Sequence, residues 1–158
     1  MRIRPGTPDD AEGIVAIARR PITVSAATWY SPDQLQRWSS GFSTPSIVDA
    51  ITTSEAFLVA EDDRLAGFAN LISASEGRSE LDLLYVDPDF SGRGVARTLI
   101  IAIEDEALAR GIADLWVDAS IPATRVLERL DYVFERVNRK QFGGVDFENV
   151  WLRKRLGT

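Results

Sequence analysis

One stretch of this chain limits its possible folds more than any other. Glu80 to Val86 is a short run rich in apolar and strand-favouring residues, closed by Asp87-Pro88-Asp89. A glycine-containing turn follows, Ser91-Gly92-Arg93-Gly94, and then an amphipathic segment from about Val95 to Arg110. There Leu99, Ile100, Ile103 and Ala107 share one face, while Arg97, Glu104 and Asp105 lie elsewhere. Gly111 is a good stop, and Leu115-Trp116-Val117 begins another strand. The helix between them makes a β-turn-α-β unit, so these two strands should run parallel. The same stretch makes a physical anion site. Unpaired N–H groups and the positive end of the helix converge where glycine removes the Cβ that would hold a ligand away. Arg93 and Arg97 add local positive charge.

The flanking segments extend this unit on both sides. Arg2–Pro5 alternates like a short first strand. Thr7-Pro8-Asp9-Asp10 opens a helix with the stripe Ile14, Ile17 and Ala18, which Pro21 is expected to stop. Ser31-Pro32-Asp33 begins a helix with Leu35 and Trp38, and Thr44-Pro45-Ser46 begins another with Ile47, Val48 and Ile51. Ala56–Ala60, Leu65–Ala74 and Glu80–Val86 read as an antiparallel meander with short connections. Pro122–Leu130 is a short helix, and Tyr132–Phe142 with Phe147–Leu156 forms a hairpin around Gly143-Gly144. The expected architecture is α+β: a mixed, mostly antiparallel sheet of six to seven strands with helices on both faces. No linker or internal repeat divides the 158 residues, so they read as one domain, 1–158.

Two zeros in the composition restrict the chemistry. The chain has no Cys and no His. Disulfides, Cys- or His-built metal centres and nucleophiles activated by imidazole are therefore excluded, and no metal is expected. Proton transfer must fall to carboxylates, Tyr, Lys, backbone groups, water or substrate. With 18 basic and 24 acidic residues the net charge is −6, which does not suit sequence-independent nucleic-acid binding. The longest aliphatic run, Leu99–Ile103, is far short of the roughly 20 residues of a membrane span. Met1–Pro5 has no apolar h-region, so the expectation is a cytoplasmic protein without a signal peptide.

Leu83 to Leu99 resembles the acetyl-CoA-binding core of the GNAT acetyltransferases. The family pattern is Gln or Arg, two residues, Gly, one residue, then Gly or Ala, and it falls here on Ser91, Gly94 and Ala96. Ser91 departs from the usual residue, which removes a side chain but leaves the backbone cradle. Ser120 to Tyr132 is similar to a second family segment. Ala123 and Tyr132 fit, while Ser120, Leu127 and Asp131 stand where Asn, Tyr and Gly are common. The order of elements agrees from about Arg2 to Leu156. Trp29-Tyr30-Ser31-Pro32, with Gln34, is loosely similar to an uncharacterised bacterial branch.

The resemblance implies an N-acetyltransferase in which an amine attacks acetyl-CoA directly. Gly92, Arg93, Gly94, Val95, Ala96 and Arg97, with Ser91 before them, would hold the pyrophosphate. Backbone groups near Leu84, Tyr85 and Val86 would hold the pantetheine arm and polarise the thioester, and Ser120 and Arg125 complete the cofactor set. Glu80 lies at the position of the general-base glutamate in the histone-acetylating branch, with Asp82 two residues on and facing the same way. The family's thiolate-protonating Tyr is absent at Leu127, which leaves Tyr30, Tyr85 or Tyr132, a water or the substrate for that proton. Trp29, Tyr30 and Trp38 are candidates for the wall of the acceptor site, the acceptor being a small-molecule or peptide amine. Trp116 and Trp151 are assigned to sheet packing, with a strand-mediated homodimer at Trp151 as the alternative. Two other readings stay open: a non-catalytic acyl-CoA sensor on the same fold, and a dinucleotide-binding oxidoreductase. The latter draws on Gly92-x-Gly94 and Asp114, against which Arg97 occupies the third glycine position.

Overall fold

Seven strands form one sheet in the order β1-β2-β3-β4-β5-β7-β6. They are β1 (Arg2–Pro5), β2 (Ala56–Glu61), β3 (Leu65–Ser73), β4 (Ser79–Val86), β5 (Asp114–Ala119), β6 (Val133–Phe142) and β7 (Val145–Arg155). The coordinates are a computed structural model in which residues 1–157 are described. Every neighbouring pair is antiparallel except β4 and β5, which run parallel as expected of a β-turn-α-β unit. The helices are α1 (Ala11–Val24), α2 (Pro32–Ser40), α3 (Thr44–Thr53), α4 (Val95–Ala109) and α5 (Ile121–Arg129).

Alternation along the strands divides the core between the two faces of the sheet. Leu58, Ala69, Leu71, Leu81, Leu115 and Val117 pack against Leu99, Ile100 and Ile103 of α4 and Leu127 of α5. Phe57, Val59 and Phe68 point the other way, onto Ile14, Ile17 and Ile22 of α1 and Ile47 of α3. Helices thus cover both faces, as the α+β reading required.

Three local expectations change. Thr7–Asp10 does not start an α-helix. Pro8–Asp10 is a 3-10 turn, closed where Asp10 accepts the Thr7 N–H at 2.8 Å, and the α-helix begins at Ala11. Pro21 does not stop that helix, which runs through it to Val24. The missing N–H costs one helical bond. Ile22, 1% exposed in the same core as Ile14 and Ile17, holds the next turn down, so tertiary packing outweighs the local break. The third helix is capped by Ser43, whose hydroxyl accepts the Ser46 N–H, one residue before the expected cap.

Candidate functional site

The site begins with an irregularity in β4. Its register with β3 pairs Leu71 with Leu81 and Ala69 with Leu84, so Asn70 alone stands opposite Asp82 and Leu83. This is a β-bulge. Asn70 is 1% exposed, and its side-chain carbonyl accepts the Leu83 N–H at 2.7 Å. The amide end donates to Ser54 at 3.0 Å. The bulge shifts the alternation by one residue. Leu81 packs with α4, whereas Leu83 and Tyr85 pack with the α1–α3 side.

On its other edge β4 meets β5 at one register pair, Glu80 with Trp116. Beyond it the strands diverge around a cleft of about 450 Å³, lined by Glu80–Tyr85 and Val117–Ser120. That volume suits a small-molecule site. The backbone groups of β4 facing this gap have no strand partner, so the divergence exposes donors and acceptors to whatever enters.

At the far end of β4 the chain enters the glycine turn. Gly92 and Gly94 both adopt left-handed backbone, with φ of 78° and 77°, and a Cβ on either would meet no protein atom within 4 Å. The requirement for glycine is therefore conformational, and the space above the turn is open. Among the described residues none of the N–H groups from Gly92 to Ala96 finds a protein acceptor. They crown the N-terminus of α4, a fifteen-residue helix with no acidic residue in its first turn. Arg93 and Arg97 are exposed beside it. The turn is anchored by Asp87, 2% exposed, which accepts from Arg20 of α1 at 2.6 Å and from Arg64 at 3.0 Å. Burial pushes the Asp87 carboxyl up, but the Asp89 N–H and the two guanidinium groups outweigh it and keep the group ionised.

Three carboxylates face the cleft: Glu80, Asp82 and Asp118. Lys140 of β6 forms an ion pair with Asp118. The other Asp118 oxygen, Oδ1, is buried without a hydrogen-bond partner among the described residues. Desolvation in the cleft wall raises the Glu80 pKa. Repulsion from Asp82 and Asp118 adds to this, against the attraction of Arg78 and Lys140. Asp82 is also raised, mainly by desolvation, with Lys140 and the Asn70 amide opposing.

Aromatic residues close the opposite wall. Tyr30, in the connection between α1 and α2, is 7% exposed and packs edge-on to Trp38 at 5.3 Å. Its hydroxyl accepts the Ile121 N–H at the start of α5 at 3.1 Å. Trp38 donates its indole N–H to the Tyr85 hydroxyl at 2.8 Å. Tyr85 packs among Phe42, Phe68 and Trp38, and burial pushes its phenol far up.

The fold therefore brings together Glu80, Asp82, Leu84, Tyr85, Tyr30, Trp38 and Ser120 in one cleft. Leu127, fully buried, is part of its wall. Trp29 is 46% exposed and outside the lining, as are Val86 and the exposed Arg125. The Ser91–Arg97 turn stands apart from the cleft, at the end of β4. Tyr132 is in the core, donating to Glu104 of α4 at 3.0 Å. Trp116 and Trp151 form an edge-on pair at 6.2 Å with Arg78 over both rings. Sequence reasoning missed Asn70, Asp118 and Lys140. Asn70 was detectable as a polar residue inside an apolar strand. Asp118 alternates with inward-facing Val117 and Ala119.

Comparison with known proteins places these features in a family context. Residues 26–152 match the family model described as an acetyltransferase (GNAT) domain. An uncharacterised N-acetyltransferase of Escherichia coli K12, YafP, is 28% identical over 153 residues, covering 97% of this chain and 95% of that protein. A solved GCN5-related N-acetyltransferase from Rhodopseudomonas palustris, also named aminotransferase, class-II, superposes with a TM-score of 0.88 at 31% identity. That alignment covers 98% of this chain and 94% of the other. The PaiA N-acetyltransferase of Thermoplasma acidophilum, solved in complex with coenzyme A, shares the fold at a TM-score of 0.81 and 22% identity, with 98% of both chains covered.

Proposed function

Because this chain belongs to the GNAT acetyltransferases and is an acetyl-CoA-dependent N-acetyltransferase, we propose that the cleft between β4 and β5 is where an amine, entering as a cation, takes the acetyl group by direct attack. The observation that carries the choice of acceptor is the charge of the cleft. Glu80, Asp82 and Asp118 face it, and among the described residues Lys140 is the one basic side chain in its lining and Asp118 Oδ1 has no donor. An ammonium group supplies such donors and relieves the repulsion among the acids.

The geometry supports the following roles. The free N–H groups from Gly92 to Ala96 and the positive end of α4 suit the pyrophosphate of acetyl-CoA, with Arg93 and Arg97 alongside. Unpaired backbone groups on the β5-facing edge of β4, near Leu84, Tyr85 and Val86, suit the pantetheine arm and the thioester oxygen. N–H groups held there stabilise the oxyanion that develops on attack. Ser120 at the start of α5 lies across the cleft from them. The amine nitrogen must shed a proton, since an alkyl ammonium of pKa near 10.4 is mostly protonated at pH 7. Glu80 accepts that proton directly or through water, with Asp82 beside it. Its raised pKa brings it closer to the working range of a general base. Trp38 and Tyr30 wall the acceptor side. Trp29, outside the lining, is left without a role in this reading. The whole chain works as one acetyltransferase domain.

The test is thiol release from acetyl-CoA with a panel of amines, in a protein whose lack of Cys contributes no background thiol. Diamines and polyamines are expected to give higher kcat/KM than neutral amines or amino acids of matched size. Equal turnover of neutral acceptors would overturn the cationic reading. Stabilisation by NAD but not by acetyl-CoA would overturn the reaction itself.

A further inference from the structure

Position 127 poses a chemical problem that the fold answers elsewhere. Expulsion of coenzyme A leaves a thiolate, and Leu127 in the cleft wall carries no proton for it. A side chain on a helix projects toward the helix N-terminus, so a tyrosine at 127 would direct its hydroxyl toward the start of α5. The Tyr30 hydroxyl already stands there, accepting the Ile121 N–H at 3.1 Å. We propose that Tyr30, delivered from the α1–α2 connection, is the proton donor to the departing thiolate, in place of a residue on α5.

Several features fit Tyr30 for that task. Its oxygen takes the Ile121 N–H, yet its own O–H proton has no acceptor among the described residues, so it remains available to the cleft. The ring is fixed by Trp38 at 5.3 Å and Phe147 at 6.4 Å, and its backbone N–H by Ala26 at 3.1 Å. Burial raises the phenol pKa, the Ile121 N–H lowers it, and the Asp118 charge adds to the rise, which keeps the group protonated at neutral pH. Once the proton has left, the Ile121 N–H and the positive end of α5 remain to stabilise the phenolate. The other tyrosines are placed differently. Tyr132 donates to Glu104 inside the core. The Tyr85 hydroxyl also accepts an N–H, from Trp38, but its ring is packed among Trp38, Phe42 and Phe68 and, among the described residues, makes no hydrogen bond with the start of α5, where a tyrosine at 127 would point.

The step balances. A C–N bond forms between amine and acetyl carbon, and the C–S bond breaks. An amine that arrives as a cation first loses one proton to solvent by way of Glu80; the proton lost as the nitrogen becomes an amide then passes to Glu80, and the Tyr30 proton passes to sulfur. Water then returns the Glu80 proton to the Tyr30 phenolate. The products are the acetylated amine and coenzyme A thiol.

This assignment rests on the cleft being the site of acetyl transfer, but not on the acceptor being a cation, so the experiment uses whichever amine the wild-type protein turns over fastest. Tyr30→Phe is expected to lower kcat by about 10²-fold, the usual contribution of a positioned acid, with acetyl-CoA affinity unchanged by calorimetry. A second variant carries 2,3,5-trifluorotyrosine at position 30, similar in size but more acidic. Its kcat is expected to differ from wild type by several-fold at unchanged melting temperature. Tyr30→Phe within two-fold of wild type would overturn the proposal. So would a slow Tyr30→Phe beside a fluorinated variant equal to wild type, because the hydroxyl would then only position α5. A wild-type protein inert with every amine would instead overturn the acetyl-transfer site itself, and the donor with it.

Discussion

The indole N–H of Trp38 on α2 donates to the hydroxyl of Tyr85 on β4 at 2.8 Å. This bond ties α2 to β4 across the lining of the cleft. Tyr85→Phe leaves the Trp38 N–H without its acceptor in a partly buried position. The expected cost is about 1–2 kcal/mol of stability by urea denaturation, the lower range for an orphaned donor that water can partly reach. KM for the amine is expected to rise, because α2 loses its tether to β4.

Glu80 and Asp82 make the pH profile a diagnostic. The Glu80 pKa is raised in the fold by desolvation and by Asp82, so the ionised form, the base of the proposed reaction, appears at higher pH than for an ordinary glutamate. The acidic limb of kcat/KM is therefore expected above pH 4.5, the usual glutamate value. Asp82→Asn removes one repulsion and moves that limb to lower pH. Glu80→Gln abolishes the limb and lowers kcat by about 10²-fold. The linkage runs the other way for stability. A carboxyl with a raised folded pKa favours the fold while protonated, and that contribution is lost as pH rises through the folded value. Glu80→Gln is thus expected to raise the melting temperature at pH 7, with the gain vanishing in acid.

Gly94 separates backbone conformation from ligand affinity. Its φ of 77° is costly for a residue with a Cβ, yet an added Cβ would touch no protein atom within 4 Å. Gly94→Ala is expected to cost about 1–2 kcal/mol of stability through left-handed strain alone. It also places a methyl group beside the free N–H groups, so KM for acetyl-CoA should rise by more than KM for the amine.

Asp131 shows the same physics in reverse. It follows α5 with a φ of 72°, at the position where glycine is common in the family. Aspartate tolerates this region better than most residues, but glycine adopts it without steric cost. Asp131→Gly is expected to stabilise the protein by about 0.5–1 kcal/mol by thermal or chemical denaturation, with kcat unchanged.

Much of this molecule was readable from local patterns. The strand, glycine turn and helix from Glu80 to Ala109 follow from hydrophobic period and backbone chemistry, and a β-turn-α-β connection of this kind predicts the parallel pair. Alternation was visible only in Arg2–Pro5, while Ala56–Ala60 reads as an unbroken apolar run, as a strand covered on both faces does. The discrepancies have a common cause: interactions between residues distant in sequence. Pro21 is carried through α1 because Ile22 is buried against the sheet. The β4 bulge exists because Asn70, on β3, supplies the carbonyl that satisfies Leu83. Asp118 and Lys140 become a site only when the β6–β7 hairpin meets β5. Tyr30, among the candidates for its aromatic character, acquires its meaning from a contact 91 residues away. Trp29, its immediate neighbour with the same appeal, points outside the cleft.

The central claim is direct transfer by a cleft that uses a backbone cradle, a carboxylate and a phenol, with neither Cys nor His in the chain. Incubation of the protein with radiolabelled acetyl-CoA, first alone and then with a diamine, tests it most directly. Direct transfer leaves no label on the protein before the amine is added, and then thiol and acetylated diamine appear in a one-to-one ratio. Label accumulating covalently on the protein before amine addition would contradict it, as would thiol release that no amine accelerates.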